Sequence, residues 1–97
     1  MSGTEKTPHK GPNMPVVLRV KGYKFWFYEV DLDEPPHVHV GKEGKEAKYQ
    51  MAPIALARSR GFRDHELNEI ERILAEYQDD ILEAWRKEQK KRGNRQG

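Results

Sequence analysis

Apolar and polar positions fall into three patterns along the chain. Residues 1–13, MSGTEKTPHKGPN, have no periodicity, and their Gly, Pro, Ser and Thr content predicts a disordered N-terminal extension. From Met14, which would also serve as a start, PVVLRV and YKFWFYEV form β-branched and aromatic runs around Lys21-Gly22. Such side chains fit a pleated, half-buried surface, and a two-residue break ending in glycine suits a tight hairpin. The pattern predicts strands over 16–20 and 23–29. After the acidic loop DLDEPP, the runs HVHVGK and EAKYQM flank Glu43-Gly44 and predict a second hairpin.

The third pattern is helical. Leu67, Ile70, Leu74, Tyr77, Ile81 and Trp85 recur at steps of three and four, so one apolar stripe runs from about 64 to 88. A single rod of that length would reach roughly 37 Å at 1.5 Å per residue, longer than a small sheet covers. A break near Gln78-Asp79 is expected, with Asp79 or Asp80 capping a second helix. Phe62 and Leu67 have staple spacing if Arg63 is the N-cap, although Asp64 is chemically the better cap. Pro53 is expected to open a short helical turn through Ile54 and Leu56 that Gly61 closes. These elements predict an α+β domain over 14–86, with a four-stranded antiparallel sheet of two hairpins and C-terminal helices on one face. A basic tail, 87–97, follows.

Register then sorts the side chains by face. With Lys21-Gly22 as the turn, Val20 faces Tyr23, Leu18 faces Phe25 and Val16 faces Phe27, which makes one face apolar. With Glu43-Gly44 as the turn, Val40 pairs with Ala47 and Val38 with Tyr49, again an apolar set. The reverse face then shows Arg19, Lys24, Trp26, Tyr28, His37, His39 and Lys48 to solvent.

Composition narrows what that face can do. The chain has 97 residues, 35% hydrophobic and 35% charged, enough for one thin core and too little for a large cofactor cavity. No cofactor is expected. Cysteine is absent, which excludes disulfides, thiolate metal sites and a cysteine nucleophile and favours a reducing compartment. No apolar run reaches the roughly 18 residues of a membrane span, and no signal-peptide pattern precedes Met14. A soluble, cytoplasmic protein without membrane contact is expected. The net charge of +2 conceals an asymmetry: residues 86–95 carry six Lys or Arg against Glu88, whereas 63–84 carry eight acids against Arg63 and Arg72. Arg86, Lys87, Lys90, Lys91 and Arg92 would bind phosphate by releasing counterions, or form a solvated helix end.

Four uses of the outer face compete. Cations interleaved with aromatics invite a phosphate backbone and stacked bases, so Arg19, Lys24, Trp26 and Tyr28 are candidate RNA contacts. His37 and His39 have side chains that titrate near neutrality, and as acid and base they would make a metal-independent ribonuclease, with Lys48 or Arg19 stabilising the added charge. The H-x-H spacing would also suit a metal ion, with Asp31, Asp33 or Glu34 completing the shell. Without chemistry, His37 and His39 are exposed partners of Gln50 and Lys48, and Trp26 and Tyr28 are an interface.

The segments GYKFWFYEVDLDEPPHVHV, EAKYQM with its following proline, RGFRDHELNEIERI and ILEAW resemble the small bacterial proteins of domain-of-unknown-function family 4160. The resemblance covers about residues 14–86, with EPPHVHV its most specific part, and Arg63 stands where relatives tend to have Ser or Thr. It carries no established activity. Members are often encoded beside another short protein, an arrangement similar to toxin–antitoxin pairs, and this implies an RNA-directed protein and, if an enzyme, a ribonuclease toxin. The alternative is a non-enzymatic module docking a small partner encoded by a neighbouring gene.

Overall fold

A computed structural model describes residues 16–28 and 32–96. Five strands come first: β1 (Val16–Val20), β2 (Tyr23–Trp26), β3 (His37–Lys42), β4 (Lys45–Met51) and β5 (Ile54–Arg60). Two helices follow, α1 (Asp64–Glu76) and α2 (Gln78–Gln96). The strands lie in chain order, β1-β2-β3-β4-β5, each antiparallel to its neighbour. β2 ends at Trp26, short of the expected end at 29, with Phe27 and Tyr28 outside any strand; Glu29 and the expected N-terminal extension lie outside the described residues.

Both predicted two-residue turns form. Lys21 and Gly22 have φ of 52° and 85°, and Glu43 and Gly44 have 50° and 80°. Positive φ at both central residues is the turn geometry whose twist matches antiparallel strands, which is why glycine occupies the second position each time. The β3–β4 register agrees residue for residue with the expectation: Val40 pairs with Ala47, Val38 with Tyr49, His39 with Lys48 and His37 with Gln50. In the first hairpin Val20 pairs with Tyr23 and Leu18 with Phe25, but Val16 lies opposite Trp26 rather than Phe27. The cause is a bulge at Val17, an extra residue that local sequence does not announce.

The sheet has five strands, not four, because residues 54–60 are extended rather than helical. Alanine is the strongest helix former, but intrinsic propensity is small per residue and tertiary pairing overrides it. Without β5, β4 would present a row of unpaired backbone groups at the sheet edge. The β4–β5 connection runs through Ala52-Pro53, whose peptide bond is cis. A second bulge, at Ala57, changes which face β5 presents: Leu56 lies opposite Tyr49 of the core, whereas Arg58 lies opposite Lys48 of the reverse face.

The helices cover one face. Tyr23, Phe25, Phe27, Val38, Val40 and Tyr49 bury against Ile70, Ile73, Leu74, Ile81 and Trp85. The expected break falls at Tyr77, the C-cap of α1 and one residue before the expected place, and α2 starts at Gln78, with Asp79 and Asp80 inside its first turn rather than at its cap. Arg63 is the N-cap of α1. A guanidinium has no acceptor to offer the helix, so Glu66 supplies the cap contact, its Oε1 accepting from Arg63 N–H at 2.8 Å. Lys45 donates to the same carboxylate at 2.7 Å, and these two bonds hold Glu66 below the usual carboxylate range.

Sheet hydroxyls tie α1 down as well. Tyr23 donates to Glu69 at 3.1 Å, and the Tyr49 hydroxyl lies 3.3 Å from Glu71 Oε2 and 3.4 Å from the Leu67 carbonyl. Burial, reinforced by the Glu69 bond, pushes the Tyr23 hydroxyl up to about 12. Tyr49 is raised by burial and then by Glu71. On α2, Gln78 Nε2 donates to the Met51 carbonyl and Gln89 Nε2 to the Leu32 carbonyl, both at 2.8 Å. No described helix is long and apolar enough to cross a membrane.

Candidate nucleic-acid interface

The face turned away from the helices is ordered by the strand registers. One row crosses all five strands, Arg19, Lys24, Gly41, Glu46 and Arg60, and the next carries Trp26, His39, Lys48 and Arg58. Sequence reasoning placed Arg19, Lys24, Trp26, His39 and Lys48 here, and it missed Arg58 and Arg60. Their signal was the alternation Arg58-Ser59-Arg60 before Gly61, masked by the helical reading of 54–60. Glu46 is the acid within these two rows, 3.7 Å from Arg60 Nη2.

The expected exposure of the aromatic groups fails. Trp26 and His39 are each only 7% exposed and His37 only 3%. Trp26 stacks on His39, with ring centroids 5.9 Å apart and planes 20° apart. Tyr28, half-buried, sets its edge against both, at 6.2 Å from Trp26 and 4.6 Å from His39. Lys24 Nζ lies 5.6 Å from the Trp26 centroid. Gly41 makes room for this cluster, because a Cβ there would meet the Trp26 ring at 3.0 Å. These large rings gain more from one another and from the strand beneath than from water, so they form a second, small core on the supposedly wet side. Among the described residues the Trp26 indole N–H has no hydrogen-bond acceptor, so packing holds the ring.

His37 is pulled the other way. The β2–β3 ladder ends at the Trp26–His39 pair, which leaves the β3 margin open beyond it. Trp85 of α2 reaches His37 there, with ring centroids 5.3 Å apart, and also packs on Phe27 at 5.0 Å. His37 Nδ1 donates to the Pro35 carbonyl at 3.1 Å and lies 3.9 Å from Glu34 Oε1. The EPPH segment is thereby closed onto β3 and α2. The two histidine rings are neighbours, 5.4 Å apart, yet neither stands open on a surface. Among the described residues no three of His, Cys, Asp or Glu gather as metal ligands do, and Asp31 lies outside those residues.

What remains accessible is cationic. A cleft of about 460 Å³ against β4 and β5 is lined by His39, Glu46, Lys48, Arg58 and Arg60. A shallower one, about 530 Å³, adjoins it over Lys24, Trp26, Gly41, Lys42, Glu43 and Lys45 and shares Glu46 and Arg60. Arg19, Arg58 and Arg60 are exposed and Lys24 and Lys48 half-buried. The expected basic tail continues α2, where Arg86, Lys87, Lys90 and Lys91 are exposed; the Arg92 side chain lies outside the described residues.

Neither a curated protein nor a solved structure is significantly similar to the chain. Residues 22–86, from the first turn to the residue after Trp85, match the family model described as "Domain of unknown function (DUF4160)". That segment holds β2 to β5, α1, the EPPHVHV stretch and the buried half of α2, and the chain belongs to this family.

Proposed function

We propose that the protein is an RNA-directed binding module that grips the phosphate backbone with the outer face of its sheet. The observation that carries this reading is the alignment of Arg19, Lys24, Lys48, Arg58 and Arg60 on one face, with Glu46 as the acid among them. Five cations so close together repel one another, and a polyanion relieves that repulsion while releasing its own counterions. The exposed Arg86, Lys87, Lys90 and Lys91 of α2 add to the attraction.

Binding is better supported than cleavage by the histidine pair. An acid and a base must reach the substrate's protons, and His37 is covered by Trp85 and tied to Pro35. Of the two, His39 borders the cleft and is placed to touch a bound phosphate. A ribonuclease acting through His37 and His39 together would need the EPPH segment to open.

The test is RNA affinity against salt, read by fluorescence anisotropy with the full chain. With five face cations engaged, log K should fall against log salt with a slope of about −3.5 to −4.5. Absence of RNA binding at low salt would overturn the reading. The docking-module alternative would then lead, and the exposed Leu56 on edge strand β5 is the observation on its side.

A further inference from the structure

We infer that the RNA taken by this face is a double helix, held by its two backbones, rather than a single strand with splayed bases. The inference rests on the RNA-directed reading above and adds the class of RNA. Proteins that hold single strands combine one cationic track with rings on which bases stack. Here the rings are occupied: Trp26 lies on His39, Tyr28 closes on both, and Trp26 and His39 keep 7% of their surface each. Freeing either ring would dismantle the cluster above Gly41. A double helix makes no such demand, because its bases are already stacked on one another.

The placement of the cations points the same way. Arg19 and Lys24 form one margin on β1 and β2, while Lys48, Arg58 and Arg60 form the other on β4 and β5. Between them β3 contributes Gly41, with no side chain, and His39 beneath Trp26. Neighbouring strands are about 4.8 Å apart, so Lys24 and Arg60 are roughly 14 Å apart across the row and Arg19 and Arg60 roughly 19 Å. Two cationic margins bracketing a smooth strip match two phosphate backbones flanking a wide, shallow groove, which is the minor groove of A-form RNA. The minor groove of B-DNA, about 6 Å wide, is too narrow for that spacing, and its major groove, though about 12 Å wide, is about 8.5 Å deep and leaves a flat sheet face without contact between the backbones. Glu46 stands within the second margin, 3.7 Å from Arg60, and Glu43 at the β3–β4 turn, 3.9 Å from Lys45.

The experiment compares one sequence of about 16 residues as single-stranded RNA, duplex RNA and duplex DNA, titrated against the full chain at low salt. Duplex RNA is expected to bind at least tenfold more tightly than either competitor. Two double variants, Arg19→Gln with Lys24→Gln and Arg58→Gln with Arg60→Gln, should each lower the duplex salt slope by roughly 2, since each removes two phosphate contacts. Urea midpoints matching the parent would show that the exposed substitutions left the fold intact. Single-stranded RNA binding as tightly as the duplex would overturn the inference while leaving the RNA-directed reading standing. Loss confined to one margin would overturn it too, and equal affinity for duplex DNA would overturn the A-form assignment. No binding to any of the three would overturn the RNA-directed reading, and this inference with it.

Discussion

Gly41 and Trp26 share one volume, and that makes the outer face structural as well as cationic. Trp26→Ala is expected to cost about 3 to 5 kcal/mol, comparable with Phe25→Ala on the core face, because both remove a buried ring. Gly41→Ala forces a methyl group against that ring and should cost about 1 to 3 kcal/mol. Urea denaturation measures all three, and a near-neutral Trp26→Ala would show that the ring does not pack as described. His37 and His39 part company at this scale as well. His37→Ala loses the Pro35 bond and the Trp85 packing and should destabilise by about 1 to 3 kcal/mol. His39→Gln removes the ring against which Trp26 and Tyr28 pack and should destabilise by about 1 to 3 kcal/mol, and because His39 also lines the cleft it should weaken RNA binding as well. Equal RNA affinity of parent and His39→Gln would remove His39 from the interface.

α1 is attached to the sheet by groups whose charge depends on pH. Tyr23 must be protonated to donate to Glu69, and its hydroxyl is raised from 10.0 to about 12 by burial and that bond. A group raised in the folded state contributes stability in full below its unfolded value and loses it as pH climbs through the folded one. The urea midpoint should therefore fall between pH 10 and about 12, with Tyr49 adding to the loss because it is raised for the same reasons. Tyr23→Phe should flatten part of that decline; an unchanged profile would mean that neither burial nor the Glu69 bond raises the Tyr23 hydroxyl in the folded state. Glu66 has the opposite sign. Its carboxyl is depressed by Lys45 and by the Arg63 backbone, so its contribution is present above the ordinary carboxylate range and vanishes as acid protonates it. Glu66→Gln should make stability less sensitive to acid.

Across the whole molecule, charge is divided by element. The sheet's outer face and the end of α2 are basic, whereas α1 carries Asp64, Glu66, Glu69, Glu71 and Glu76 against Arg72, so approach of a polyanion has a preferred direction. α2 leaves the body beyond Trp85, with Gln89 still bonded to Leu32. Deleting residues 92–97 should keep stability within about 0.5 kcal/mol, since the core residues lie upstream. The same deletion removes Arg92 and Arg95 and should lower the salt slope of RNA binding by up to roughly 2 if both touch phosphate. Thermal unfolding and anisotropy separate the two effects, and a large loss of stability would mean the last turn of α2 packs on the body.

Local chemistry was enough for the elements whose neighbours are close in the chain. Lys21-Gly22 and Glu43-Gly44 announce hairpins because only a few residues accept their backbone angles, and a hairpin turn sets the register of both its strands. The α1 stripe and the break before α2 were legible because helical spacing is a property of one segment. What sequence could not deliver depended on partners distant along the chain. Residues 54–60 are a strand because β4 had an edge to pair, and Arg58 and Arg60 join the cationic face only through that pairing and the bulge at Ala57. Alternation correctly put Trp26 and His39 opposite the core, placed His37 with them, and therefore predicted all three wet. Contacts that span a sheet or reach in from α2, Trp26 over Gly41 and Trp85 against His37, buried them, and those contacts exist only once the chain is folded.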